Sequence, residues 1–220
     1  MTGLHFTKGY KAGFMKKQIY LAAAFLVASM APLTTVQANE WDMRPYMGVG
    51  VGLFNVGYKD SSVSQTDTGF GGFIKGGADF GDYFGLEMRV GTASNGSKSY
   101  AAGTLGTSAG TLKASTDYFV SYLGKAQMPV SDELRPYVLL GGTTAVFKTT
   151  NSALGNTKKV AKSGISYGVG VDYNLGNQLS ANIEWVQYWN NVALGSTKSA
   201  VGTSPKAKIW GLVAGLDYRF

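Results

Sequence analysis

Glu87 and Arg89 stand two residues apart within Phe84-Gly85-Leu86-Glu87-Met88-Arg89-Val90-Gly91, the spacing that puts both side chains on one face of an extended strand. A carboxylate and a guanidinium so placed can form an ion pair, or, with a second carboxylate such as Glu184, a pair suited to general acid and base work. The remaining charges of comparable alternating stretches are Lys75, Lys125, Arg135 and Arg219 against Asp79, Asp117, Asp172 and Asp217, which makes five cations and six acids in all. Such near balance predicts mutual pairing rather than catalysis, because buried charges persist mainly when paired. A second group of cations, Lys148, Lys158, Lys159, Lys162, Lys198, Lys206 and Lys208, lies in polar stretches or at strand ends and suits phosphates or acidic polymers.

Most enzymatic chemistry lacks its residues. The 220 residues contain no Cys and one His, His5. Thiolate metal sites and cysteine nucleophiles are therefore excluded, and beyond residue 38 there is no imidazole to serve a triad or ligate a metal. We expect no enzyme activity, no cofactor and no metal. Gly48-Val49-Gly50-Val51-Gly52 has the spacing of a phosphate-binding loop, but no helix pattern follows it, so its glycines read as small positions on one strand face.

The N-terminus reads as an address. A basic start at Met15-Lys16-Lys17 precedes an apolar run from Ile19 to Met30, and Val36-Gln37-Ala38 offers a small-residue cleavage site. Twelve apolar residues are too few to span a bilayer, so a cleaved secretion signal is expected over residues 1–38 and a mature domain over 39–220. Residues 1–14 are either an extended n-region or precede a start at Met15. Loss of residues 1–38 removes four lysines and no acid, bringing the formal charge from +7 to +3. That weakens a nucleic-acid reading of the high pI, and no nucleic-acid partner is expected.

From Pro45 onward the chain alternates residue by residue, the period of a strand with two different faces. Eight strands are predicted, at 45–58, 68–80, 84–91, 115–128, 134–147, 164–175, 179–189 and 208–220. Short turns at Gly81-Asp82-Tyr83, 129–133 and Gly176-Asn177-Gln178 alternate with connections at 59–67, 92–114, 148–163 and 190–207. Short turns on one rim and longer loops on the other are the asymmetry of an outer-membrane barrel. The expected fold is an all-β, eight-stranded antiparallel up-and-down transmembrane barrel with short periplasmic turns and long extracellular loops. The Gly, Ala, Ser and Thr of 92–112 predict a mobile loop.

In the last strand Trp210, Leu212, Ala214, Leu216, Tyr218 and Phe220 alternate with Ile209, Gly211, Val213, Gly215, Asp217 and Arg219, so the first set is expected to meet lipid and the second the lumen. The fourth strand is less regular, because Phe119 and Leu123 share a face with Asp117, Ser121 and Lys125. Tyr46, Phe80, Phe84, Tyr137, Tyr173, Tyr218 and Phe220 near the turn rim, and Tyr58, Tyr118, Trp189 and Trp210 near the loop rim, are candidate interfacial girdles. Ten lysines against Asp60 and Asp67 make the loop rim basic, while Asp82, Asp132 and Glu133 make the turn rim acidic. Of the lumen set, Lys75, Glu87, Arg89, Lys125 and Glu184 are placed near mid-height, and Asp79, Arg135, Asp172, Asp217 and Arg219 in a ring nearer the turns. The narrow lumen of eight strands is then a salt-bridged plug, with a narrow ion or solute channel as the alternative.

Arg44-Pro45-Tyr46-Met47-Gly48-Val49-Gly50-Val51-Gly52, Leu134-Arg135-Pro136-Tyr137-Val138, Gly164-Ile165-Ser166-Tyr167-Gly168-Val169-Gly170-Val171-Asp172-Tyr173 and Gly215-Leu216-Asp217-Tyr218-Arg219-Phe220 resemble the small outer-membrane β-barrel family of OmpA-type, OmpX-type and opacity-type surface proteins. The resemblance covers about residues 41–220. It implies a protein of the cell outer membrane, porin-like in architecture, with a structural and loop-mediated surface role and lipid and lipopolysaccharide around it. It further implies that a last strand with Trp210 and Tyr218, ending in Phe220, is read by the barrel-assembly machinery, and that interior ion pairs such as those above can gate a narrow pore. With Phe220 at the end, no appended peptidoglycan-binding domain is expected. An adhesin-like contact with a host or extracellular anionic ligand is the expected use of the basic rim, and an outer-membrane lipid-modifying enzyme is the remote alternative.

Overall fold

The computed structural model describes residues 42–59, 64–94, 97–101, 110–152, 155–195 and 205–220. The expected leader over residues 1–38, Lys198 and Asp60 lie outside these residues. The described chain forms β1 (Met43–Lys59), β2 (Ser64–Phe80), β3 (Phe84–Ala93), β4 (Ser97–Tyr100), β5 (Gly110–Gln127), β6 (Leu134–Asn151), β7 (Asn156–Gly176), β8 (Leu179–Ala193) and β9 (Lys206–Arg219). Each strand pairs antiparallel with its neighbour in the wall, β9 pairs with β1, and β3 pairs with β5 to close the sheet. The short β4 pairs only with β5 and extends the stave begun by β3, so the barrel has eight staves.

Composition explains both faces of this wall. Val49, Val51, Phe70, Ile74, Leu86, Leu140, Ile165, Ile183 and Leu212 stand exposed on the outside, the reverse of a water-soluble barrel and the pattern of a lipid-facing surface. Glycines occupy inner positions where the opposing side chain needs room. A Cβ at Gly50 would stand 2.5 Å from the Phe73 ring, and one at Gly170 would stand 2.4 Å from the Tyr137 ring. The turn joining β7 to β8 is a two-residue hairpin in which Asn177 (φ 49°) and Gln178 (φ 67°) are both left-handed, the signature of a type I′ turn.

Three expectations need correction. The strands run further toward the loop rim than the alternation indicated. β6 and β7 remain paired out to Asn151 and Asn156, so Lys148, Lys158, Lys159 and Lys162 stand on a two-stranded extension rather than in a loop. Part of 92–112, expected to be a mobile loop, is likewise paired through β4 and β5. Above the membrane both faces of a strand meet water, so no apolar alternation reveals the pairing. In β5 the register shifts between Thr116 and Tyr118. Phe119, Leu123 and Lys125 are buried inside, whereas Asp117, expected in the lumen, is displaced by the bulge and pairs with Lys159 at 2.5 Å on the exposed rim.

Candidate functional site

Inward-facing positions of β2, β3 and β8 bring four of the five predicted mid-height charges together, Lys75, Glu87, Arg89 and Glu184. Asp217 of β9, expected nearer the turns, joins them because it lies level with Lys75 across β1, while Lys125 of β5, expected at mid-height, reaches the acids nearer the turns instead. Arg89 lies fully buried, donates from Nε to Glu87, and grips Glu184 with both terminal nitrogens, Nη2 to Oε2 at 2.7 Å. Lys75 Nζ is 2.9 Å from Asp217 Oδ1 and 3.6 Å from Glu87 Oε2. The Tyr46 hydroxyl donates to Glu87 Oε2 at 2.8 Å, and the Tyr137 hydroxyl donates to Glu184 Oε2 at 2.9 Å. Arg89 therefore stands between the two glutamates, and phenols and cations occupy their lone pairs. They do not form the facing carboxylate pair that acid and base chemistry needs.

Nearer the turns, Lys125 Nζ lies 2.9 Å from Asp79 and 3.7 Å from Asp172, while Arg219 Nη2 lies 3.4 Å from Asp172 and 3.7 Å from Asp79. In the mid-height layer, Asn182 donates to Asp217 Oδ2 at 2.9 Å. Arg135 does not enter this ring. It pairs with Asp172 in strand register, yet it forms no ion pair among the described residues.

On the loop side of Arg89 the lumen changes character. Phe54, Phe119 and Tyr188 pack with ring centroids 5.0 to 5.9 Å apart, Phe73 closes on Phe119, and Tyr58 stacks on Phe147. Arg89 lies 4.6 Å from the Phe73 centroid, which couples the charged and aromatic layers. Trp189 is fully buried and donates from Nε1 to the Thr143 carbonyl at 3.0 Å; Ser121, Thr143 and Ser166 form a chain of hydroxyls at 2.7 Å steps beside it. Tyr46, Tyr137, Tyr58 and Trp189 are thus lumen residues and leave the predicted girdles, whereas Phe84, Tyr173, Tyr218 and Phe220 remain exposed on the outer wall. A register available in the sequence pointed to Tyr46, which shares its face with Gly48, Gly50 and Gly52. The bulges of β8 around Gln187 and Trp189 hid the corresponding signal there.

The basic rim divides by face. Lys206 and Lys208 share the outward parity of Trp210 and Leu212, and Lys206 stands directly opposite Lys59 on β1. Lys148 stands directly opposite Lys159 on the outer side of β6 and β7, while the alternation places Lys162 on the inner side with Ser166, half-buried. Lys158 occupies the register position opposite Thr149. Among the described residues Lys59, Lys206, Lys208 and Lys148 form no ion pair.

The barrel wall with its apolar outside agrees with comparison to known proteins. Residues 21–220 match the outer membrane protein beta-barrel domain. The chain belongs to this family of outer-membrane barrels. Among solved structures it is similar to Neisserial surface protein A, with a TM-score of 0.53 at 15% identity over 79% of this chain and 97% of that one. It is also similar to the attachment invasion locus protein Ail of Yersinia pestis, solved in complex with the heparin analogue sucrose octasulfate, with a TM-score of 0.47 at 15% identity over 80% and 99% of the two chains. The outer membrane protein OprG of Pseudomonas aeruginosa gives 0.47 at 16% identity over 80% and 95%. Among curated proteins no sequence match was found. As an outer-membrane barrel the protein carries its final strand in the wall between β8 and β1, where the Tyr218 ring meets Phe220 edge-on at 5.3 Å and the Phe220 amide donates to the Pro45 carbonyl at 3.1 Å. Trp210 lies half-buried on the same outward face.

Proposed function

We propose that this outer-membrane barrel is a non-conducting, non-catalytic envelope protein whose outward lysines hold anionic groups. The nearest of these are the phosphates of surrounding lipopolysaccharide, followed by acidic polymers on other cells. The observation that carries this reading is the direct cross-strand opposition of Lys59 with Lys206 and of Lys148 with Lys159. Like charges directly opposite on a sheet are destabilising; Asp117 offsets Lys159, and an external counter-charge accounts for the retention of Lys59, Lys206 and Lys148, which have no ion pair among the described residues. Lys208 stands one pleat beyond Trp210, about 7 Å along the strand, which supports a headgroup contact for Lys208. Exchanging Lys206, Lys208, Lys148 and Lys159 for Gln is expected to weaken lipopolysaccharide binding by at least about tenfold at low salt while leaving the barrel folded. Wild-type binding should fall steeply as salt shortens the screening length to about 8 Å at physiological strength. Binding that is unchanged in the variant, or insensitive to salt, contradicts the reading.

Trp210, Tyr218 and Phe220 serve in this reading as the segment offered to the assembly machinery. Phe220→Ala should lower the amount of folded protein in outer membranes without slowing refolding into lipid vesicles in vitro; equal loss in both settings would mean a purely structural role.

A further inference from the structure

We infer that the turn-side mouth of the barrel is an oxyanion site, taking a carboxylate or phosphate group presented from the periplasm. A cavity of about 210 Å³ opens there, lined by Arg44, Arg135, Arg219, Glu133, Asp172 and Asn174. Three arginines converge on it although the surrounding rim is acidic. The Nε–H groups of all three are buried without a hydrogen-bond acceptor among the described residues. Their other nitrogens differ in a way that singles out one residue. Arg44 Nη2 is held by Asp82 at 2.8 Å, and Arg219 is held by Ser180 at 2.5 Å and by Asp172. Arg135 has no ion-pair partner among the described residues and its side chain remains partly accessible.

Neither acid of the cavity forms an ion pair with Arg135 among the described residues: Asp172 is engaged by Lys125 and Arg219, and Glu133, which keeps its charge, is turned to the Ser131 hydroxyl at 3.1 Å. Arg135 is left as an unpaired guanidinium whose planar fork fits two oxygens of a carboxylate or phosphate. At about 30 Å³ per water the cavity has room for about seven waters, enough for one oxyanion with a short stem.

The test uses the protein purified from outer membranes in detergent with 15N-labelled arginine, titrated with inorganic phosphate and with acetate at constant ionic strength set by chloride. The expected result is saturable movement of the Arg Nε–Hε resonances. Saturation with phosphate alone assigns a phosphate ligand, with acetate alone a carboxylate, and with both a general oxyanion site. Arg135→Gln should weaken the apparent affinity at least tenfold, and the K206Q/K208Q variant should leave it unchanged. Shifts that rise linearly with both anions, or saturation that persists in a folded Arg135→Gln barrel, overturn the assignment. Should R135Q fail to fold, as judged by heat-shifted gel mobility, R135K is read by the same criterion, because it keeps the charge and lacks the fork.

Discussion

Arg89 is the residue on which the interior depends, since its one guanidinium compensates two buried carboxylates from two different staves. Removing one partner of a buried pair typically costs about 3 to 5 kcal/mol, because the other charge is left without compensation. Glu184→Gln loses the two-point grip and is expected to lower stability by about 3 kcal/mol in urea unfolding from lipid vesicles. Glu87→Gln should cost less, because Arg89 keeps Glu184. Equal and negligible effects would remove the network from the account of stability. The two-residue spacing made the Glu87 and Arg89 pairing legible in the sequence. The phenols that complete it were not, because an aromatic residue at a strand end suits both a lumen position and an interfacial girdle, and only the parity of the neighbouring glycines separates the two. Arg135 was misjudged for a related reason: strand register placed it beside Asp172, but side-chain reach, which spacing does not give, leaves them apart.

At the scale of elements, the eight staves and their short turns followed from alternation and from residues suited to tight reversals, such as Gly81 at φ 62° and Asn177 at φ 49°. The strand extensions escaped, because Thr149 and Thr150 lie where both faces meet water and the apolar period fades. These extensions bear on the proposed function, since they hold Lys148 and Lys159 opposite each other on a paired scaffold instead of on free loops. Amide hydrogen exchange should therefore show protection through Thr144–Thr150 and its partner positions on β7. Exchange at unstructured-chain rates over these residues would return the lysines to a loop.

For the whole molecule, the interior is a polar column near the periplasmic mouth and at mid-height, capped on the loop side by Phe54, Phe119, Tyr188 and Trp189. Each charge of the buried network has an oppositely charged partner, apolar residues face lipid, and the lysines without ion pairs face outward, which supports the proposal that the loop rim interacts and the lumen stabilises. An eight-stranded wall leaves an interior just wide enough for its side chains, and here that interior holds the paired and aromatic layers. The most direct test of this account is single-channel conductance of the folded barrel in a planar bilayer, with heat-shifted gel mobility establishing that folding is complete. The account predicts silence or rare brief flickers, in wild type and in the rim lysine variants alike. Steady, ion-selective openings from the folded wild-type barrel would contradict it and make the lumen charges the lining of a path.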